Sequence, residues 1–189
     1  VALFPPEAVA ELFDALYPVI ESGAAKWQAK VGALKVISRA SDMAFEQVGD
    51  ELTQLTPVLT TAMHETKAEV SKQAIKTATK VCGVIDNNDI RPFIPDLVGC
   101  MARPDSVPDC IKKLSSITFV AEVTGPALAV MVPLLSRALN ERSQTVQRQS
   151  VIIVDNLCKL VRDPHTAAMY LPTLLLSLIH ISDGAREAC

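Results

Sequence analysis

The sequence predicts an all-α solenoid, because a proline recurs in it at a nearly constant interval. Successive members of the series are separated by 39, 38, 38 and 39 residues, and they are Pro18, Pro57, Pro95, Pro133 and Pro172. Apolar residues stand two positions before and two positions after each of these prolines. A period of about 20–50 residues is typical of repeat proteins, in which each repeat buries its apolar face only against its neighbours.

The composition favours helix-on-helix packing and a reduced, cytoplasmic protein. Of the 189 residues, 49% are hydrophobic but only 4% are aromatic, so aliphatic side chains supply most of the core. The net charge of −3 argues against a protein that binds polyanions over its whole surface. No apolar run reaches the ~18–20 residues that a membrane span requires. The five cysteines form no C-x-x-C pattern, which indicates buried, reduced thiols and no metal site.

Each interval between prolines accommodates two helices, here called A and B. The A helices carry the periodic proline and are predicted at Pro6–Ser22, Met43–His64, Asp89–Met101, Gly125–Asn140 and Pro164–Ile181. The B helices are predicted at Ala24–Ala40, Thr66–Ile85, Ser106–Glu122 and Ser143–Val161, and a fifth begins at Asp183. The chain therefore reads as one solenoid over residues 1–189 with repeats at about 6–41, 42–86, 87–123, 124–162 and 163–189, the last of them partial.

Local residues support several of these boundaries. Asp89 is a candidate cap for the third A helix, and Thr66 for the second B helix with Glu69 at capping-box spacing. Asp163 precedes Pro164, a favourable pair for a helix start.

The periodic prolines themselves are unusual inside helices. A proline in a helix interior costs ~3 kcal/mol, because it removes a hydrogen bond and its ring meets the preceding turn. Five of them in register predict a kink repeated in every A helix. The alternative, in which some of the prolines begin a helix, stays open.

Paired helices at this period, with bent A helices, indicate a HEAT or armadillo α-solenoid of about four and a half helical-hairpin repeats. The 34-residue tetratricopeptide period does not fit the observed spacing.

Acidic residues concentrate in the A helices and basic residues in the B helices. The candidate anion-binding residues are Lys26, Lys30, Lys35, Arg39, Lys72, Lys76, Lys80 and Arg148. Lys72, Lys76 and Lys80 are spaced four apart, so they share one face of a helix. B helices line the inner curve of HEAT solenoids, and a basic concave face would attract a phosphate backbone or an acidic protein. The alternative is that these lysines only keep a helix face in water.

Motifs of catalysis and cofactor binding are absent from the sequence. The glycines form no phosphate-binding loop, and His64, His165 and His180 form no H-E-x-x-H pattern. We therefore predict no catalytic, cofactor-binding or metal-ligating residue in this chain.

Three runs of the later half carry a family resemblance, namely Phe119–Thr124, Met131–Arg142 and Asp155–Val161, the last followed by Asp163-Pro164. Shorter segments of the earlier half carry it in the same order, namely Gly32–Leu34, Thr66–Val70 and Ile90–Pro95. Together these runs resemble the N-terminal HEAT region of translation elongation factor 3, a family of ABC-F ATPases. A related HEAT stretch occurs in the general-control translational activator that senses stalled ribosomes, which is the rival resemblance.

The resemblance implies a non-catalytic scaffold that binds the ribosome through ribosomal RNA and ribosomal proteins. The cassettes that bind ATP and Mg²⁺, and whose turnover is linked to release of tRNA from the exit site, would lie outside this chain. The alternative is a general protein-interaction solenoid, such as the ribosome-stalling activator or a transport or signalling adaptor.

The ends of the chain lead to a further expectation. It begins without Met and stops inside a predicted helix, so we expect a fragment of a longer protein. The apolar segment Leu174–Ile181 would then be uncovered and would drive an artificial self-association.

Overall fold

A computed structural model describes residue 5 and residues 8–187, with side chains through Ile179. Within that range the chain is all-α and contains no strand, as predicted. The helices are α1 (Val9–Glu21), α2 (Trp27–Ala40), α3 (Phe45–Asp50), α4 (Leu52–Met63), α5 (Ala68–Cys82), α6 (Ile94–Ala102), α7 (Val107–Leu114), α8 (Gly125–Leu139), α9 (Gln144–Leu160) and α10 (Pro164–Glu187). Short 3₁₀ turns at Arg91–Phe93 and Pro104–Ser106 precede α6 and α7.

The helices form two compact units, Val1–Asp86 and Asn87–Cys189, which we call unit 1 and unit 2. Unit 1 contains α1–α5 and unit 2 contains α6–α10. The boundary falls where the sequence predicts the start of the third repeat. The description of the whole chain as one solenoid stays a prediction.

Unit 1 is built from stacked helical hairpins. Helix α1 packs against α2 and α4 against α5, and the hairpins stack through the pairs α1–α4 and α2–α5. A helices therefore stack on A helices and B helices on B helices, which is the arrangement expected of repeats that bury their faces against neighbours. The core includes Phe13, Leu34, Leu55, Leu59 and Val70, which are all almost completely buried.

Unit 2 has the same pairing with a shorter second helix. Helices α6 and α7 pack together, α8 packs against α9 and α10, and α7 packs against α9. Helix α7 ends at Leu114, so the predicted helix Ser106–Glu122 is wrong in its second half. The hydroxyls of Ser115 and Ser116 donate to the carbonyls of Lys112 and Lys113, at 2.9 and 2.6 Å. Such side-chain bonds compete with helix continuation and account for the early end.

The segment that follows α7 is held by polar side chains near the start of unit 2. The Asp89 carboxylate accepts hydrogen bonds from the backbone N–H groups of Val120 and Ala121, at 2.7 and 2.8 Å. The Asn87 side-chain amide donates to the carbonyl of Glu122 at 3.1 Å. Asp89 is therefore not the predicted helix cap but a partner for non-helical backbone that would otherwise lack one.

Other predicted boundaries have mixed outcomes. The second A helix is divided at Glu51 into α3 and α4, and α5 begins without a side-chain cap, so the Thr66 capping box is wrong. The Asp163 cap is confirmed, because its carboxylate accepts from the N–H of Thr166 at 2.8 Å. Bonds from Thr166 hold the pKa of Asp163 below its usual value.

Two predicted boundaries concern the ends of the chain. Helix α10 runs without a break to Glu187, so no separate helix begins at Asp183. A glycine such as Gly184 costs about 1 kcal/mol inside a helix but does not by itself end one. The predicted start at Pro6 lies outside the described residues.

Four of the periodic prolines lie inside helices, namely Pro18, Pro57, Pro133 and Pro172. Pro95 instead lies in the first turn of α6, where a missing N–H costs nothing. The proline therefore lies inside the A helix in four repeats and at the start of α6 in the third, so a kink in every A helix is wrong for Pro95 and stays a prediction for the other four.

The cysteines are free where they are described. Cys82, Cys100 and Cys110 are buried as predicted, and burial raises the pKa of the Cys82 thiol to about 12. Cys158 is exposed, so the prediction of burial is wrong for it, and Cys189 lies outside the described residues. Cys158 is solvent-facing because Val154 and Leu157 occupy the buried stripe of α9 beside it.

We predict that Leu34→Ala lowers the free energy of unfolding by about 2–5 kcal/mol, because the Leu34 side chain is completely buried and its truncation leaves a cavity in the core. The measurement is urea denaturation followed by circular dichroism. Val36→Ala is the matched control on the same helix, and since Val36 is 38% exposed it should cost well under half as much. Equal costs for the two variants would contradict the assigned core.

Candidate anion-binding face of unit 1

Five of the predicted basic residues form one surface on the stacked pair α2 and α5. We call it the α2–α5 basic face, and it consists of Lys35, Arg39, Lys72, Lys76 and Lys80, all exposed. Residues four apart on a helix lie one above the other, so each helix contributes a single stripe.

Asp42 joins the two stripes at one end. Its Oδ2 accepts from Lys80 Nζ at 2.6 Å and from Arg39 Nη1 at 3.1 Å. The Lys80 bond is the main reason that the pKa of Asp42 lies below its ordinary value. Because Arg39 and Lys80 meet at one carboxylate, the stripe on α2 and the stripe on α5 run side by side.

The remaining positive charges of this face are not neutralised. Neither Lys35, Lys72 nor Lys76 forms an ion pair with a residue in the described part of the chain. The three ammonium groups are therefore available to an external anion, whereas Arg39 and Lys80 share theirs with Asp42.

Lys30 does not belong to this face, which corrects the sequence prediction. It is only 4% exposed, and its ammonium group is ion-paired with Glu65 in the turn between α4 and α5. A buried charge is tolerated only with a partner, so this pair is a structural link between the first and second hairpins. The spacing of Lys30, Ala33, Leu34 and Ile37 is that of a buried helical stripe and could have revealed this position.

The other two predicted residues are also separate from this face. Lys26 is exposed, but it precedes α2 as its N-cap and is not part of the stripe. Arg148 is exposed on α9, in unit 2.

In unit 2 the helix cations that form no ion pair with a described residue are spread over three helices, with Lys112 on α7, Arg137 on α8 and Arg148 on α9. Lys113 pairs with Asp96 and Lys159 with Asp155, both at 2.6 Å, and Arg162 pairs with Glu122 at 3.4 Å. The Asp96 bond raises the pKa of Lys113. The segregation of basic residues is thus a property of unit 1.

No group of side chains suited to a metal ion occurs among residues whose side chains are described. In that same part of the chain, none of the helices is both long and apolar enough to cross a membrane.

We predict that Lys30→Ala lowers the free energy of unfolding by about 2–4 kcal/mol, since it leaves the half-buried Glu65 carboxylate without its partner. Lys35→Ala, which removes an exposed lysine from the same helix, should change it by less than about 0.5 kcal/mol. Urea denaturation at neutral pH measures both. A Lys30→Ala variant as stable as Lys35→Ala would show that Lys30 is not a structural link.

Two family models match most of the chain. The model described as EF3 N-terminal HEAT repeat matches residues 1–78. The model described as Elongation factor 3/GNC1 HEAT repeat matches residues 105–188.

Curated relatives agree with these matches. Elongation factor 3 of Phytophthora infestans is 50% identical over 153 residues, which are 81% of this chain and 15% of the relative. Elongation factor 3B of Saccharomyces cerevisiae is 44% identical over 173 residues, 92% of this chain and 16% of the relative. The mRNA export factor elf1 of Schizosaccharomyces pombe is 44% identical over 174 residues, again 92% and 16%.

The chain thus spans about a sixth of the length of these relatives, and both matched models describe HEAT repeats. It belongs to the N-terminal HEAT-repeat region of the elongation factor 3 family.

Proposed function

We propose that this chain is the non-catalytic part of an elongation-factor-3-type translation factor and binds the ribosome in the cytoplasm. In this proposal the ATPase cassettes, with ATP and Mg²⁺, lie elsewhere in the protein and promote release of tRNA from the exit site. The observation that carries the proposal is the row of unpaired ammonium groups on the α2–α5 basic face, in a chain whose relatives are named elongation factor 3.

The chemistry of this face suits a phosphate backbone. Lysines on adjacent stripes present several positive charges to one side, while the net charge of −3 limits attraction elsewhere. Each phosphate neutralised by a lysine releases condensed counterions, so binding of RNA weakens as salt rises. Few aromatic side chains accompany the lysines, which favours contact with backbone phosphates over stacking on bases.

We predict that Lys72→Glu/Lys76→Glu in the full-length protein weakens ribosome binding by about tenfold or more at moderate salt. The logarithmic slope of affinity against salt should also become shallower by about 1.5, because two phosphate contacts are lost. Co-sedimentation with ribosomes over a series of KCl concentrations measures both quantities.

The matched control is Lys112→Glu/Lys159→Glu, which makes the same change of net charge on exposed lysines of unit 2. It should leave the affinity and the slope almost unchanged. If both double variants bind the ribosome like the wild type, the lysines of the α2–α5 basic face serve only to keep the helix surface in water. If both variants bind the ribosome equally weakly, the effect of the substitutions is a nonspecific effect of net charge.

A second candidate function is supported by the relative named mRNA export factor, which covers more of this chain than does the Phytophthora elongation factor 3. The same face would then contact the phosphates of messenger RNA. Crosslinking in cells distinguishes the two functions, since ribosomal RNA should be recovered if the chain acts in elongation and polyadenylated mRNA if it acts in export.

The chain also has an apolar surface on α10 through which we propose that the isolated chain self-associates. Leu175, Leu176 and Ile179 are 56%, 60% and 53% exposed, whereas Leu174 is buried. Ile181, the end of the segment predicted to be uncovered, lies beyond the described side chains.

We predict that sedimentation equilibrium of the 189-residue chain shows a concentration-dependent dimer. Leu176→Gln/Ile179→Gln should shift it to monomer, because these substitutions remove the exposed apolar surface through which two copies would associate. Val120→Gln, at an exposed position outside α10, is the control and should leave the dimer intact. A wild-type chain that stays monomeric at high concentration would refute self-association.

A further inference from the structure

Asp42 lies in the turn after α2 and brings two cations of the α2–α5 basic face to a single oxygen atom. Arg39 is in the last turn of α2, and Lys80 is in the last turn of α5. Both donate to Oδ2 of Asp42, Lys80 at 2.6 Å and Arg39 at 3.1 Å. Two donors from two stacked helices therefore converge on one point, and an anionic oxygen occupies that point.

The turn that carries Asp42 is held by its own backbone. The N–H of Asp42 donates to the carbonyl of Arg39 at 3.1 Å, and the N–H groups of Met43 and Ala44 donate to the carbonyl of Ala40 at 3.0 and 2.9 Å. The turn therefore does not need the two cations to keep its shape, and only the side chain of Asp42 has to rotate for the contact to open. Rotamer changes of surface side chains are common when partners bind.

Helix stability does not account for a carboxylate at this position. The carbonyl end of a helix carries a partial negative charge, so it favours cations such as Arg39 and Lys80 and disfavours an acid. The pKa of Asp42 nevertheless lies below its ordinary value, chiefly because of the hydrogen bond from Lys80. Asp42 is therefore ionised at neutral pH and depends on the two cations for compensation, as any other anion at this point would.

The contact is exposed, unlike the Lys30–Glu65 pair. The side chains of Arg39, Lys80 and Asp42 are 63%, 42% and 35% exposed, whereas the side chain of Lys30 is 5% exposed. Exposed ion pairs contribute little to folding stability and are screened by salt. An incoming anion can therefore take the place of the Asp42 carboxylate with little loss of stability.

The other lysines of the face continue from this end along both helices. Lys76 and Lys72 precede Lys80 at intervals of four residues on α5, and Lys35 precedes Arg39 by the same interval on α2. A ligand that meets all of these cations needs negative charges at regular intervals. A nucleic-acid backbone provides one at every nucleotide, whereas a protein provides them only through a run of acids. The arrangement therefore favours RNA over an acidic protein segment.

We propose that Arg39 and Lys80 form a subsite for one backbone phosphate of RNA, and that Asp42 is an intramolecular competitor which the phosphate displaces. This inference rests on the proposed function, because it assigns one contact of the same face. Arginine pairs with phosphate through parallel hydrogen bonds, and Lys80 supplies a second charge at the same point. Because the phosphate has to displace a carboxylate, Asp42 lowers the affinity of the face for RNA, and such differences act mostly on the rate of release.

The test measures binding of a fluorescein-labelled RNA duplex to the full chain by fluorescence anisotropy over a series of KCl concentrations. Asp42→Asn should strengthen binding by about threefold or more, because the phosphate no longer competes with a carboxylate. The logarithmic slope of affinity against salt should become steeper by about 1, since one further phosphate is neutralised. Asp14→Asn makes the same change of net charge on an exposed acid of α1 and should strengthen binding by less than about 1.5-fold.

A double-mutant cycle shows whether the gain depends on the two cations. In a chain that carries Arg39→Gln/Lys80→Gln, Asp42→Asn should strengthen RNA binding no more than Asp14→Asn does, because no subsite is left to release. If Asp42→Asn strengthened binding equally with and without the two cations, the gain would come from net charge and the proposal would be overturned.

Lys72→Glu/Lys76→Glu in the same assay separates this proposal from the proposed function. If that variant weakens RNA binding while Asp42→Asn gives no gain, the subsite is wrong and the proposed function stands. If neither change affects RNA binding, the subsite and the phosphate chemistry of the proposed function both fail.

Two further results would overturn the subsite. Displacement of the labelled RNA by polyglutamate as effectively as by unlabelled RNA would show that the face serves acidic protein segments. Loss of the folded state in Asp42→Asn, measured by thermal unfolding, would show that the contact of Asp42 with the two cations is structural.

Discussion

The stacking of α2 on α5 is the contact on which the rest of unit 1 depends. It joins the first hairpin to the second through buried apolar faces, and Leu34 on α2 and Ala78 on α5 are completely buried. The Thr77 hydroxyl donates to the carbonyl of Leu34 at 3.1 Å, so the two helices are also fixed in register along their length. Isolated helices of this length are marginal in water, and each therefore gains its stability from the other.

This stacking also determines which charges reach solvent. The buried stripe of α2 contains Lys30, whose ammonium group is turned toward Glu65, while Lys35 and Arg39 lie on the other side of the helix. On α5 the buried stripe leaves Lys72, Lys76 and Lys80 outside. The α2–α5 basic face is thus a consequence of core packing, because rotation of either helix would bury its lysines and expose its apolar residues.

The parts of the structure that follow from local periodicity could be predicted from the sequence. The proline interval predicted the paired helices, and the spacing of Lys72, Lys76 and Lys80 predicted one exposed stripe. The non-helical segment after α7 could not be predicted, because its conformation depends on tertiary hydrogen bonds to Asp89 at the start of unit 2. The spacing of Lys30 from the apolar residues of α2 indicates a buried position, but lysine is usually exposed, and the sequence prediction therefore placed it on the surface. The burial of the Tyr17 hydroxyl without a hydrogen-bond partner could not be predicted, because it arises only when α1 packs against its neighbouring helices.

Native-state hydrogen exchange of the backbone amides tests most directly whether α2 and α5 form one cooperative element. If they do, the slowest amides of α2 and α5 should open with the same free energy, and Leu34→Ala should lower that value equally in both helices. If the substitution accelerated exchange in α2 alone and left α5 unchanged, the stacking would not be the contact that organises unit 1.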